Sequence, residues 1–168
     1  GNAYEEGVGP AAFELLKEFS KERTDKSEQA TRDNILKPEF TKMQYTDGAK
    51  NVEKISPDSW NMDQYFLNRT GNAEIQIQLL YDYQNNLKRY PEWHSYFRQH
   101  QPPTLVVWGK NDKFFTQEGA LAYEQDLKNI EVHLLDSGHF ALEEEYEQIS
   151  NYISSFFSKA DTVHIQRE

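Results

Sequence analysis

"PPTLVVWGKNDKFF", residues 102–115, and "LLDSGHFALEE", residues 134–144, decide how this chain reads. Each carries an apolar run into a chemically active side chain, Asp112 in the first and His139 in the second. "TLVVW" is short, apolar and β-branched, as expected of a strand buried on both faces. "IEVHLLD", ending at Asp136, reads as a second strand. Between them, residues 117–127 put Ala120, Tyr123 and Leu127 on one helical face. After them, Leu142, Tyr146, Ile149, Ile153 and Phe156 mark a final amphipathic helix. Strand, helix, strand, helix implies a parallel pair joined by a right-handed crossover. Two parallel strands alone make a poor sheet, because parallel sheets are covered on both faces and are seldom so small. The expected class is therefore α/β, with further strands of the sheet outside these residues.

Taken singly, neither polar residue is diagnostic. Asp112 follows Gly109-Lys110-Asn111 and could be a turn aspartate capping the helix near Gln117; His139 could be a surface histidine in a loop. Taken together they mean more. Neighbouring parallel strands place their carboxyl ends roughly 5 Å apart, on the edge where open α/β sheets bind ligands. An acid and an imidazole can meet there, the carboxylate fixing the tautomer of the ring.

The rest of the chain is helical in grammar. Residues 1–10 read as loop. Phe13, Leu15, Leu16 and Phe19 have helical spacing, and residues 20–34 form a polar face or loop. A short helix is expected around Ala30–Leu36, stopping before Pro38. Phe40, Met43 and Tyr45 make another, ending near Gly48. In "ISPDSWNMDQYFLNR" Ser56 is the expected cap, Pro57 the first turn and Asp58 the dipole partner. Gly71 and Asn72 break the chain. From Ala73 one long helix is expected, with Ile75, Leu79, Tyr83 and Leu87 on its packed side and Pro91 as its end. "EWHSYFRQH" then reads as a separate short aromatic helix, with His94 and His100 at the surface.

Composition narrows the partners. The 168 residues make one domain, or one and a part. Mean hydropathy is low at −0.89, yet 10 Phe, 10 Tyr and 3 Trp argue for a folded chain. A net charge of −10 disfavours nucleic acid and anionic membranes. No run is long enough to span a bilayer. The absence of cysteine excludes disulfides and Cys-ligated zinc. His133 and His139 lack a third ligand, so neither metal nor cofactor is expected. With no secretory segment at the start, the expected compartment is the cytoplasm.

"PTLVVWGKND", the 27-residue step from Asp112 to His139 and "LLDSGHFALEE" together resemble the C-terminal part of the α/β-hydrolase superfamily. In pattern they are most similar to lidded epoxide hydrolases and haloalkane or haloacetate dehalogenases. The resemblance implies a partial α/β-hydrolase fold: a helical cap over residues 1–101, the last two strands of the core over 102–158, and a frayed tail over 159–168. It implies Asp112 as the acid and His139 as the base of a triad whose chain order is nucleophile, acid, histidine. The nucleophile would then lie N-terminal to the cap, outside these residues, since no Gly-x-Ser-x-Gly occurs here. It implies a small-molecule substrate (an epoxide, a halide or an ester) met by cap aromatics, among which Tyr81, Tyr83, Trp60 and Trp93 are the candidates, with Tyr90 and Trp108 behind them. Packing is the competing reading for each. An aspartate nucleophile is favoured over serine, and this piece alone is expected to be inactive. Its partner would be the N-terminal part of the fold, or a second copy paired through an open sheet edge. A non-catalytic binding domain that has kept a hydrolase-like end is the alternative.

Overall fold

The computed structural model describes residues 2–10, 12 and 23–165, with side chains as far as 159. The helical spacing of Phe13, Leu15, Leu16 and Phe19 lies outside the described residues. Among the described residues the helices α1 (Asp25–Ile35), α2 (Pro38–Thr46), α3 (Pro57–Leu67), α4 (Asn72–Asp82) and α5 (Gln84–His100) precede the strands. The order β1 (Thr104–Gly109), α6 (Gln117–Ala122), β2 (Ile130–Leu135) and α7 (Ala141–Ile165) then follows. The two strands pair in parallel, from Thr104 opposite Ile130 to Gly109 opposite Leu135.

Local chemistry accounts for most boundaries. Thr24 and Ser27 form a reciprocal capping box at the start of α1, so this helix begins well before the expected Ala30. Pro38 and Pro57 occupy first turns, and the Ser56 hydroxyl accepts from the Asp58 N–H. Gly71, at φ 82°, turns the chain into α4.

Several expectations are corrected. The long helix breaks at Tyr83 and Pro91 lies inside α5 instead of ending it. At the break, the Gln84 and Asn85 side-chain amides donate to the Tyr81 carbonyl and the Asp82 carboxylate; such local bonds compete with the helical ladder. Beyond Pro91, Trp93 and Phe97 pack on the core and carry the helix on. "EWHSYFRQH" is accordingly the C-terminal half of α5. The stripe of Ile75 and Leu79 is exposed, and α4 buries Ile77 instead. Apolar periodicity names a face without naming which face has a partner. Likewise Leu142, Tyr146 and Ile153 on α7 are exposed, while Ile149 and Phe156 are half-buried. The expected tail from 159 is helical as far as Ile165.

The start of the chain departs furthest from its loop reading. Ala3 and Tyr4 sit in the main core with Val106, Ala120, Ala122, Tyr123 and Leu127. Tyr4 stacks on His94 at 4.2 Å and meets Tyr123 edge-on at 4.8 Å. Its hydroxyl donates to Asp126 at 2.9 Å. His94, read as surface, is half-buried and binds the Ala3 carbonyl oxygen through Nε2 at 2.7 Å. A single 3-10 turn (Glu5–Gly7) and a bridge between Val8 and Phe115 bring this segment to the loop after β1.

Candidate active site

The carboxyl ends of β1 and β2 are laced together before either reaches its polar residue. The Lys110 N–H donates to the Leu135 carbonyl at 2.9 Å, and the Asn111 N–H to that of Ser137 at 3.1 Å. This approach requires glycine at the end of β1: a Cβ on Gly109 would stand 2.1 Å from the Gly138 carbonyl oxygen. The Asn111 amide also reaches across to the helical block, donating to the Gly48 carbonyl at 3.0 Å. Asp136 is held below its ordinary carboxylate range by the Lys110 ammonium, then by the Asn111 amide, which fastens the second loop from outside.

Asp112 is buried, and its two oxygens have separate tasks. Oδ1 accepts the Phe114 and Phe115 N–H groups at 2.8 and 3.0 Å. Oδ2 lies 2.9 Å from His139 Nδ1. The turn-aspartate and the acid–histidine readings are thus both realised, one on each oxygen; the cap position of α6 is taken by Thr116. An ionised carboxylate only accepts, so Nδ1 carries the ring proton and Nε2 is left as the basic nitrogen. Among the described residues Nε2 has no hydrogen-bond partner. Phe114, Phe115 and Phe140 surround the imidazole, with ring centroids at 5.0, 6.0 and 4.9 Å.

Two open clefts meet at His139. One, of about 220 Å³, is lined by Ala12, Ile35, Phe40, Gln44, Leu80, Tyr83, Phe114, Phe115 and His139. The other, of about 380 Å³, runs along Val107, Trp108 and Gly109 to Asn2, Tyr83, Asp112, Phe115, His139 and Ala141. The side chains therefore form an acid–imidazole pair whose free nitrogen borders an apolar cavity, an arrangement suited to moving a proton to and from a reacting group.

The aromatic candidates separate. Tyr83 lines both clefts, its ring centroid 6.1 Å from that of Phe115. Burial, then the neighbouring Tyr90 hydroxyl, pushes its hydroxyl pKa well up, so it stays protonated. Tyr83 thus contributes a neutral wall. Tyr90 is fully buried beside Trp93. Trp93 packs on the main core. Trp60 lies against Tyr45, with the Lys42 ammonium over its ring, and Tyr81 carries the Arg23 guanidinium over its ring. Tyr81, Trp60 and Trp93 are not among the described linings of either cleft. Trp108 borders the second cleft and donates its indole N–H to the Phe115 carbonyl at 2.7 Å. Sequence reasoning missed Phe114 and Phe115, though "DKFF" carried the signal: an aspartate two and three residues before free N–H groups closes a turn on itself. It also missed Ile35, Phe40 and Gln44, which approach His139 only through helix packing.

Among the described residues no group of three or more His, Asp or Glu is placed to hold a metal, and no helix is long and apolar enough to cross a membrane.

A small parallel sheet of this topology, with an acid and a histidine at its carboxyl edge, defines a class. The chain belongs to the α/β-hydrolase fold family, whose model matches residues 14–146. An uncharacterized hydrolase of Saccharomyces cerevisiae is 37% identical over 163 residues, 95% of this chain and 56% of the relative. A 2-hydroxy-6-oxononadienedioate/2-hydroxy-6-oxononatrienedioate hydrolase of Pseudomonas putida is 31% identical over 72 residues, 42% of this chain and 25% of the relative. A crystal structure provisionally called a lipase, from Acinetobacter baumannii AYE, superposes with a TM-score of 0.61 at 20% identity, over 96% of this chain and 51% of the other; this likeness shows the fold. The chain thus spans about half the length of the yeast relative. Its architecture is a partial α/β-hydrolase fold.

Proposed function

We propose that residues 1–101 are the cap and 102–158 the last part of the core of a hydrolase in which Asp112 is the acid and His139 the base of a catalytic triad. The nucleophile would be supplied by residues outside these 168. His139 Nε2 would take a proton from the nucleophile or from water and return it to the leaving group. Asp112 would hold the tautomer and stabilise the imidazolium. The single observation that carries this reading is the 2.9 Å contact from Nδ1 to an oxygen of a carboxylate whose other oxygen is fixed by two N–H groups.

The substrate would be a small organic molecule, an epoxide, halide or ester, as in the epoxide hydrolases and dehalogenases that the chain resembles. The dioate of the Pseudomonas relative is not carried over, because no lysine or arginine stands among the described lining of the cleft beside His139. With an aspartate nucleophile, His139 would activate the water that hydrolyses the alkyl-enzyme ester; with serine it would deprotonate the hydroxyl.

The test uses the longer protein that carries the upstream residues, assayed with 4-nitrophenyl acetate, styrene oxide and 1-bromobutane. Turnover of at least one is expected. His139→Gln and Asp112→Asn should each lower kcat by about 10³–10⁴ with the fold unchanged. Undiminished turnover in His139→Gln overturns the reading, and a longer protein that binds these compounds without turning them over favours the binding-domain alternative. The 168 residues alone are expected to be inactive.

A further inference from the structure

The geometry points to Gln44 as the residue that selects the substrate: the cleft beside His139 takes the apolar arm of a neutral molecule, and the Gln44 amide reads one oxygen or amide group on it. This rests on the proposed reading of the His139 cleft as the active site. Gln44 lies one helical turn after Phe40 on α2, and the two face the cleft together. The wall around them is apolar, with Ile35, Leu80 and Phe114. Tyr83 joins this wall with its ring against Phe115. The Gln44 amide has no hydrogen-bond partner among the described residues, although the residue is half-buried. With no partner inside the protein, this amide keeps both its donor and its acceptor for water or for a polar group that enters the cleft.

The same wall argues against acids. Burying a carboxylate without a counter-charge is strongly unfavourable, and among the described lining residues there is no lysine or arginine to supply one. The chain's net charge of −10 adds a repelling field. A neutral amide, ester, alcohol or epoxide of modest length fits; its carboxylate analogue does not.

Ligand-observed NMR titrations of the 168-residue chain at pH 8 with hexanamide, hexanoate and toluene test this. Hexanamide should bind about tenfold or more tighter than the ionised hexanoate. Gln44→Met, which keeps length and shape, should weaken hexanamide by about three- to tenfold and leave toluene unchanged. Equal affinity for the amide and the carboxylate overturns the inference, as does a Gln44→Met chain that binds hexanamide as before, or no hexanamide binding at all. Binding and turnover are separate readouts. A Gln44→Met chain with unaltered preference counts against Gln44, whereas a longer protein that keeps the preference yet hydrolyses nothing counts against the proposed function alone.

Discussion

Two aspartates anchor this unit by different means. Asp112 holds an imidazole and two N–H groups at the site. Asp126, whose side chain is 8% exposed, holds the start of the chain: it accepts from the Tyr4 hydroxyl at 2.9 Å and pairs with Arg98 at 2.7 Å. Burial raises the Asp126 pKa, but the hydrogen bonds from Arg98 and Tyr4 outweigh it and hold the carboxyl below its ordinary value. A depressed carboxyl contributes stability above its unfolded pKa of about 3.9, and that stability is lost as pH falls through the lower folded value. Arg98 is more than half exposed, so the solvent-screened ion pair adds little and the Tyr4 bond carries most of the effect. Asp126→Asn should therefore cost about 1–2 kcal/mol near neutral pH. Denaturant titrations from pH 7 to pH 2 should show that difference steady above about pH 5 and shrinking below about pH 4. A gap that stays constant to pH 2 would mean the carboxylate charge is not what matters.

At the scale of elements, the contact between the first residues and α6 is tight because two glycines meet. A Cβ on Gly119 would stand 2.5 Å from the Gly7 Cα and 2.7 Å from Asn2 Oδ1. Backbone cannot give way as a side-chain tip can, so Gly119→Ala should lift residues 2–9 from the core. An overpacking cost of about 1–3 kcal/mol is expected, with faster amide exchange over residues 3–9 and β1 unaffected. Unchanged exchange there would show that the segment is not held by this contact. That contact also marks the boundary of what is legible in the sequence. The two strands, the crossover and the Ser56 cap are legible, since each is written in a few adjacent residues. So is the pairing of Asp112 with His139, because parallel neighbours bring their carboxyl ends together. The anchoring of Tyr4 is not legible: a short segment rich in glycine looks like loop whatever it packs on. The break at Tyr83 is hidden by an apolar repeat that runs through it, and Gln44 carries no local mark at all.

The whole molecule presents more apolar surface than its own helices cover. On α7, Tyr146, Ile153 and Phe157 recur at helical spacing and are 60%, 43% and 61% exposed. Leu142 precedes them at 61% and Leu134 of β2 is 36% exposed. Among the described residues β1 pairs only with β2, which leaves its other edge with unpaired peptide groups. Exposed apolar side chains along one helix face and an unpaired strand edge are each a template for association. At roughly 25 cal/mol per Å², covering a few hundred Å² is worth several kcal/mol, comparable to the stability of a domain. This chain spans 56% of the yeast relative's length, and the N-terminal part of the fold proposed above is what is expected to cover this surface. The 168-residue chain is therefore expected to self-associate, and co-expression with the N-terminal part of the same fold should convert it to a one-to-one complex. Ile153→Glu with Phe157→Glu should raise the solubility of the isolated chain and weaken that complex by more than about tenfold, because two apolar side chains of one patch are replaced by charges that resist burial. Light scattering distinguishes the cases. A monomer of 19.8 kDa that stays monomeric at high concentration and ignores the added part would show that this face needs no partner.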